Sequence, residues 1–314
     1  MNPQEAINQT RAVIRRQHKA LATEESYLNW LRRYIQAVRQ MPNGLSSEKK
    51  LERFLTELAL ARDVSASTQN QAFNAIAFFY KDVLGLPLQN VDALRTSRPA
   101  QLRHAPSVKE TRALIEAVRD VAGYPTNLIT RLLYGCGLRV TEPLNLRIKD
   151  VPLEAGRLDI LGAKGRKSRV VALPCSLTEE LRQQIEFARH VWRQDVTNQI
   201  PVELPHQLAA KYPEFRFAGG WAWLFPSRRP CQHPRTGEIV RFRMHEANVQ
   251  RAIKEARRKI GVMVLPHELR HAYATHCLDR GVNLKALQEA MGHECIETTI
   301  GYCHADALSV ASPL

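Results

Sequence analysis

PHELRHAYATHC, residues 266–277, reads in two incompatible ways. As His267-Glu268-Leu269-Arg270-His271 it satisfies H-E-x-x-H, in which two imidazoles one helical turn apart share a zinc ion and the glutamate acts as a base. As His267-x-x-Arg270 it places an imidazole and a guanidinium on one helix face, a pair suited to the oxygens of a phosphate. The metal reading needs a third ligand. The extended zinc pattern would put Gly at 274 and His at 277, where this chain has Ala274 and Cys277, and only Glu289 stands at a spacing suited to a glutamate ligand. Arg270 would also set a fixed cation beside the metal, which is unfavourable. The phosphate reading is preferred, and no metal is expected.

Composition agrees with an anionic partner. The 314 residues are 44% hydrophobic, enough for one large domain or two ordinary ones. Lys and Arg outnumber Asp and Glu by 45 to 31, a net charge of +14. That excess points to a polyanion, with nucleic acid the first candidate, because neutralised phosphates release counterions. A generally basic, solvated surface is the plainer alternative. The cysteines Cys136, Cys175, Cys231, Cys277, Cys295 and Cys303 show no C-x-x-C spacing and follow no secretory signal, so reduced thiols in a cytoplasmic protein are expected. The N-terminus is polar and charged, and no run of about 18 apolar residues occurs, so no membrane anchor or span is expected.

The first hundred residues read as a helical bundle. Thr23 to Gln40 carries Tyr27, Leu28, Leu31, Tyr34, Ile35 and Val38 on one stripe and stops at Pro42-Asn43-Gly44. Ser46-Ser47 caps a second helix with Leu51, Phe54, Leu55 and Leu58 on its apolar face, and Ser65 opens a third through Phe73, Ile76, Ala77 and Tyr80. Residues 92–106 lack apolar periodicity and hold several Arg and two Pro, the composition of a linker crossing a phosphate backbone. Ser107-Val108-Lys109-Glu110 is a capping box that opens a second domain. There, 126–136 reads as an apolar helix broken at Gly135 and Gly137. Residues 157–162 and 169–173 alternate as a β-hairpin around the basic turn 163–168, and helices follow at about 176–195, 245–259, 266–280, 284–291 and 296–303. Residues 197–242, rich in Pro, Gly and aromatics, break the helical rhythm and read as an insertion.

Phosphoryl transfer without a metal needs cations around the non-bridging oxygens, a nucleophile, and an acid for the leaving oxygen. Candidates recur along the chain. Arg139, in YGCGLRVTE, follows a glycine break where a helix N-terminus could also face an anion. Lys164 sits at the hairpin turn, His293 follows a helix-ending Met291-Gly292, and Tyr302 offers a phenol close behind. Taken singly, each has another reading. Arg139 with Glu142 makes an i,i+3 ion pair, Lys164 is a solvated turn lysine, His293 a helix C-cap, and Tyr302 a half-buried core residue. Their joint occurrence in one order favours the chemical reading.

That order of Arg, Lys, His-x-x-Arg, Gly-His and Tyr resembles the tyrosine recombinase (phage integrase) family over about residues 107–304. The matching segments are YGCGLRVTEPLNL (134–146), AKGRKSRVVALP (163–174), HELRHAYATHCLDRG (267–281) and MGHECIETTIGYCH (291–304). The resemblance implies a mainly α fold with a small antiparallel β-sheet. It places a SAM-like helical core-binding domain at 1–100 and an α+β catalytic domain at 101–314, the two closing as a C-shaped clamp on DNA. It also implies Tyr302 as the nucleophile that forms a 3′-phosphotyrosyl bond and releases a 5′-hydroxyl. Arg139 and Arg270 then hold the non-bridging oxygens, Lys164 is the general acid, His267 and His293 donate hydrogen bonds, and Glu142 orients its neighbours. Because the covalent link conserves the bond energy, neither ATP, metal nor other cofactor is implied. Four protomers on two sites, two active at a time, are the implied assembly. The chain departs from the family pattern at Pro143, Ala163, Gly301 and Cys303, none of them a reactive group.

The insertion, KYPEFRFAGGWAWLFPS followed by HPRTGE and RFRMHE, resembles the extra segment of integron integrases, which recombine gene cassettes. In that subfamily the segment helps recognise bases extruded from folded single-stranded cassette sites. The resemblance proposes Trp221, Trp223 and Pro234 as stacking surfaces, with Arg243 as a further DNA contact where relatives often carry histidine. The same aromatics would also serve as a small core beneath a long loop.

Overall fold

The computed structural model describes residues 2–61, 64–94, 105–162 and 168–292. The chain divides into two compact units, Met1–Gln101 and Leu102–Leu314, each with its own hydrophobic core. Both are mainly helical, and the sheets among the described residues are two small antiparallel pairs in the second unit.

The first unit holds α1 (Pro3–Arg16), α2 (Leu21–Val38), α3 (Ser47–Ala61) and α4 (Ala66–Phe78), the last continuing as a π-helical turn, Phe79–Val83. No helix was expected at α1. Its start is nonetheless written in the chain: the Asn2 side chain accepts from the Gln4 N–H at 2.8 Å, Glu5 reaches back to the Asn2 N–H, and Pro3 supplies a preset φ. Ile7, Leu28, Leu31, Leu51, Leu55 and Ile76 pack at its centre, with Tyr34 and Tyr80 sharing a buried hydroxyl contact at 3.0 Å. Glu24, 4% exposed, accepts from Arg15 Nε and Nη2 at 3.1 and 2.9 Å and so ties α2 to α1.

In the second unit α5 (Val108–Ala117) opens on the expected capping box: Ser107 Oγ accepts from the Glu110 N–H at 3.2 Å, and Glu110 accepts from the Ser107 N–H at 2.8 Å. Helix α6 (Thr126–Gly135) buries Leu128, Ile129, Leu132 and Leu133, and a four-residue α7 (Thr141–Leu144) follows. Strands β1 (Arg157–Ile160) and β2 (Arg169–Ala172) pair antiparallel, from Arg157 opposite Ala172 to Ile160 opposite Arg169. Their connecting turn, with Lys164, lies outside the described residues, as do most of the expected linker and the helix expected at 296–303. Next come α8 (Thr178–Thr197), α9 (His206–Lys211), the two-residue pair β3 (Cys231–Gln232) and β4 (Ile239–Val240), α10 (Glu246–Ile260), α11 (Pro266–Asp279) and α12 (Leu284–Met291).

Part of the stretch from 197 to 242 packs into the main core. Leu224 and Phe225 are almost fully buried in the main core with Leu146, Ile185 and Met244, and the Leu224 N–H donates to the Leu146 carbonyl at 2.9 Å. The reason is composition: Trp223 to Pro226 is a continuous, buried apolar run that satisfies its backbone against Leu146 and Met244 while filling the space beside α8. A buried pair anchors the returning chain, with Arg241 Nε and Nη2 donating to Asp195 on α8 at 2.7 and 2.5 Å.

Candidate active site

The loop between α6 and α7 can turn only because of Gly137. Its φ is +60°, and a Cβ there would stand 2.3 Å from Tyr273 Cδ1. That left-handed step sends Leu138 into the core and leaves the Gly137 carbonyl facing α11. Arg139 follows, and α7 begins at once. Just ahead of this short helix, Glu142 Oε2 accepts the Arg139 N–H at 2.8 Å.

Glu142 gathers the site. Its carboxylate accepts from Arg139 Nη1 at 2.8 Å and from Arg169 Nη1 and Nη2 at 2.9 and 2.7 Å, while Arg270 Nη1 stands 3.8 Å away. Burial alone would raise its pKa, but the Arg169 pair, and then the backbone and side chain of Arg139, outweigh burial and hold it down at about 2. Three guanidinium groups against one carboxylate leave an excess of positive charge, and Arg139, with its side chain 26% exposed, is the member of the cluster open to solvent. Such a cluster can hold an anion with planar, forked geometry that lysine could not reproduce.

Helix α11 supplies two of the expected residues. Arg270 is 1% exposed and donates from Nη1 to the Gly137 carbonyl at 2.6 Å and from Nη2 to the Met291 carbonyl at 2.5 Å. It thereby joins the α6–α7 loop to the end of α12. His267 lies at the exposed start of the helix, its ring edge-on to that of the buried His271 at 4.4 Å. Glu268 closes the helix N-terminus by accepting the Leu265 N–H at 2.5 Å, which is the work of an N3 cap rather than of a metal-site base. Further along, His276 Nδ1 meets the Tyr134 hydroxyl at 3.0 Å and fixes α11 against α6. The structure thus brings Arg139, Glu142 and Arg270 together, with His267 one turn before Arg270 on α11. Lys164, His293 and Tyr302 lie outside the described residues.

Sequence reasoning missed Arg169. Its Nε donates to the Ala290 carbonyl at 2.7 Å while its two terminal nitrogens hold Glu142, so β2, α7 and α12 meet on one side chain. The available signal was the arginine opening the strand after the basic turn, with Gly292 placed where a Cβ would press on Arg169 Cδ at 3.0 Å.

The four residues proposed as DNA contacts separate. Trp223 is 6% exposed, donates from Nε1 to the Arg241 carbonyl at 3.2 Å, and has the Arg147 guanidinium over its ring. It is an internal anchor, and the expected stacking surface is corrected on that ground. Trp221 is half-buried and stacks on Phe215, which stacks on Tyr212, with centroids 5.2 and 4.9 Å apart; Lys149 Nζ lies 4.4 Å from the Trp221 ring centre. With Val202, Leu204 and Ala222, the Phe215 and Trp221 rings form the small separate core that the sequence held open as an alternative. Pro234 is exposed. Arg243 is half-buried, its Nη1 donating to the Met244 carbonyl at 3.1 Å.

Comparison with known proteins adds to this geometry. The sequence profile described as the phage integrase family matches residues 107–308, and that of the phage integrase N-terminal SAM-like domain matches 7–90. An "Integrase/recombinase" of Escherichia coli is 35% identical over 98% of this chain and 92% of its own length. Tyrosine recombinase XerA of Pyrococcus furiosus is 31% identical over 81% of this chain and 75% of its own length. Among solved structures, a lambda integrase dimer bound to a COC′ core site superposes with a TM-score of 0.62 at 15% identity, covering 99% of this chain and 98% of that one. The Tn1549 transposon integrase in complex with transposon right end DNA superposes with a TM-score of 0.60 at 16% identity, covering 97% and 96%. At these identities the two structures speak for the fold alone.

Proposed function

The chain belongs to the phage integrase family and is a tyrosine site-specific recombinase, and from that premise we propose that Tyr302 cuts and rejoins DNA strands through a 3′-phosphotyrosyl intermediate. The observation that carries the assignment of roles is the Glu142 carboxylate, which gathers Arg139 and Arg169 with Arg270 3.8 Å away. A scissile phosphodiester carries one negative charge and gains more as the fifth oxygen approaches, so this excess of guanidinium favours the transition state over the ground state. The Tyr302 oxygen bonds to phosphorus as the bond to the 5′-oxygen breaks, and Lys164 gives that oxygen its proton. A phenol of pKa about 10 needs nearby cations to lose its own proton at neutral pH, and that proton passes to water. His267 and His293 donate hydrogen bonds to the same phosphate. Rejoining is the reverse reaction with a new 5′-hydroxyl, so it proceeds without ATP or a metal ion.

The substrate we propose is the folded single-stranded site of a gene cassette, making the protein an integron integrase that acts as a homotetramer on paired sites. Support comes from the segment around Tyr212, Phe215 and Trp221, a ring stack with Lys149 against one end and Lys211 against the other. Flat aromatic surfaces beside cations suit unstacked bases of any sequence. Trp221, Pro234 and Arg243 remain the proposed contacts. A second reading, a recombinase of the phage or chromosome-dimer-resolving kind acting on duplex sites, is favoured by the similarity to XerA. A recombination assay pairing a folded cassette strand with a duplex control decides between them. Preference for the folded strand is expected, and equal or faster recombination of the duplex would establish the second reading.

A further inference from the structure

We propose that Arg169 is a positioning residue of the phosphate site: it fixes and neutralises the Glu142 carboxylate so that Arg139 is presented to the scissile phosphate. The inference rests on the recombinase reading above. Arg169 opens β2 with its side chain only 10% exposed, and all three of its guanidinium nitrogens are engaged. Nε donates to the Ala290 carbonyl at 2.7 Å, Nη1 to Glu142 Oε1 at 2.9 Å, and Nη2 to Glu142 Oε2 at 2.7 Å. The fork fits both carboxylate oxygens at once, a geometry that fixes the plane of the acid as well as its place.

That plane matters because the same two oxygens hold Arg139. Oε1 accepts from Arg139 Nη1 and Oε2 from the Arg139 backbone N–H, both at 2.8 Å. Rotation of the carboxylate would therefore carry the guanidinium and its backbone with it. Electrostatics point the same way. A carboxylate beside a bound phosphate repels it, and in a partly buried site that repulsion is weakly screened. Arg169 answers the charge of Glu142 from the side of β2, leaving the solvent-open Arg139 positive towards an incoming anion. The contact with Ala290 completes the frame. It places Arg169 against Gly292, whose φ of +62° and lack of a Cβ admit the Arg169 stem, immediately before His293. One side chain thus references the Arg139 loop to both the hairpin strand and the chain entering His293.

The test is a double-mutant cycle on the full-length chain, with single-turnover cleavage read as covalent adduct at saturating DNA. Arg169→Met is expected to slow adduct formation on the order of 10²-fold while DNA affinity changes little, as for a group whose reacting partner is misplaced. In a Glu142→Gln background the same substitution is expected to cost less than about threefold, because the charge it answers is gone. A substrate whose scissile phosphate is replaced by a neutral methylphosphonate is expected to shrink the Arg169→Met deficit below about tenfold, since less positive charge is then required. A full loss in the Glu142→Gln background, an equal loss on both substrates, or no loss at all would each overturn the proposal. If Arg169→Met fails to fold, Arg169→Lys takes its place in the cycle, keeping the charge but losing the fork. It is expected to be about tenfold slow, and wild-type speed would overturn the proposal. Absence of adduct from the wild-type chain on the phosphodiester is a different result, because it removes the recombinase reading itself.

Discussion

At Glu142, burial favours the protonated acid while the forked Arg169 and the adjoining Arg139 favour the anion, and the anion prevails at a pKa near 2 against an ordinary 4.5. A carboxyl whose pKa is lowered by folding contributes stability that is full above its unfolded value and is lost as pH falls through the folded one. The window therefore runs from about pH 5 down to about pH 2, and the contribution is on the order of 3 kcal/mol. Glu142→Gln should flatten that part of the acid limb. Denaturant unfolding of both proteins between pH 5 and pH 2 measures it, and parallel curves would contradict the balance. Cys136 shows burial acting unopposed, its thiol pushed up to about 12. Alkylation of the native protein at pH 8 should accordingly modify the exposed Cys175 and Cys231 and spare Cys136 until the chain unfolds. Peptide mass analysis reads the pattern.

Between α6 and α7, Gly137 meets two demands that no other residue satisfies together: a left-handed φ and no atom where Tyr273 packs. Gly137→Ala should cost about 2 kcal/mol or more and disturb the carbonyl that receives Arg270, lowering the melting temperature and cleavage together. Across α8 and the returning chain, Asp195→Ala should cost about 3 kcal/mol by leaving Arg241 buried without its partner. Increased proteolysis within 197–242 would report the loosened segment. The legibility of these elements differs for physical reasons. Capping at Ser107 and Glu110 is local, so the residues alone displayed it. The start of α1 was equally local, in Asn2, Pro3 and Glu5, but its polar composition masked a helix that buries only one side. Arg169 could not be read in this way, because its role is defined by a carboxylate 27 positions earlier and a carbonyl 121 positions later. Trp223 departs from its expected role because an exposed stacking ring and a buried anchor both call for a flat apolar side chain, and only its burial beneath Arg147 distinguishes them. Glu268, the base of the metal reading, accepts the Leu265 N–H instead and so works as a helix cap.

For the whole molecule, two mainly helical units and a charge of +14 are the properties that matter. Binding that neutralises six or more phosphates should weaken on the order of 10³-fold between 50 and 200 mM salt. Titration of labelled DNA across that range checks this, and a flat response would contradict a phosphate-dominated interface. The central claim is narrower and chemical: one phenol oxygen becomes joined to DNA. The direct measurement is denaturing electrophoresis of the chain with a labelled suicide substrate, comparing wild type with Tyr302→Phe, in chelator and without ATP. The account predicts a covalent protein–DNA band for wild type and none for Tyr302→Phe, with both proteins shifting the same DNA in a native gel. A covalent band that survives in Tyr302→Phe, or none from a wild-type chain that binds the DNA, would contradict it.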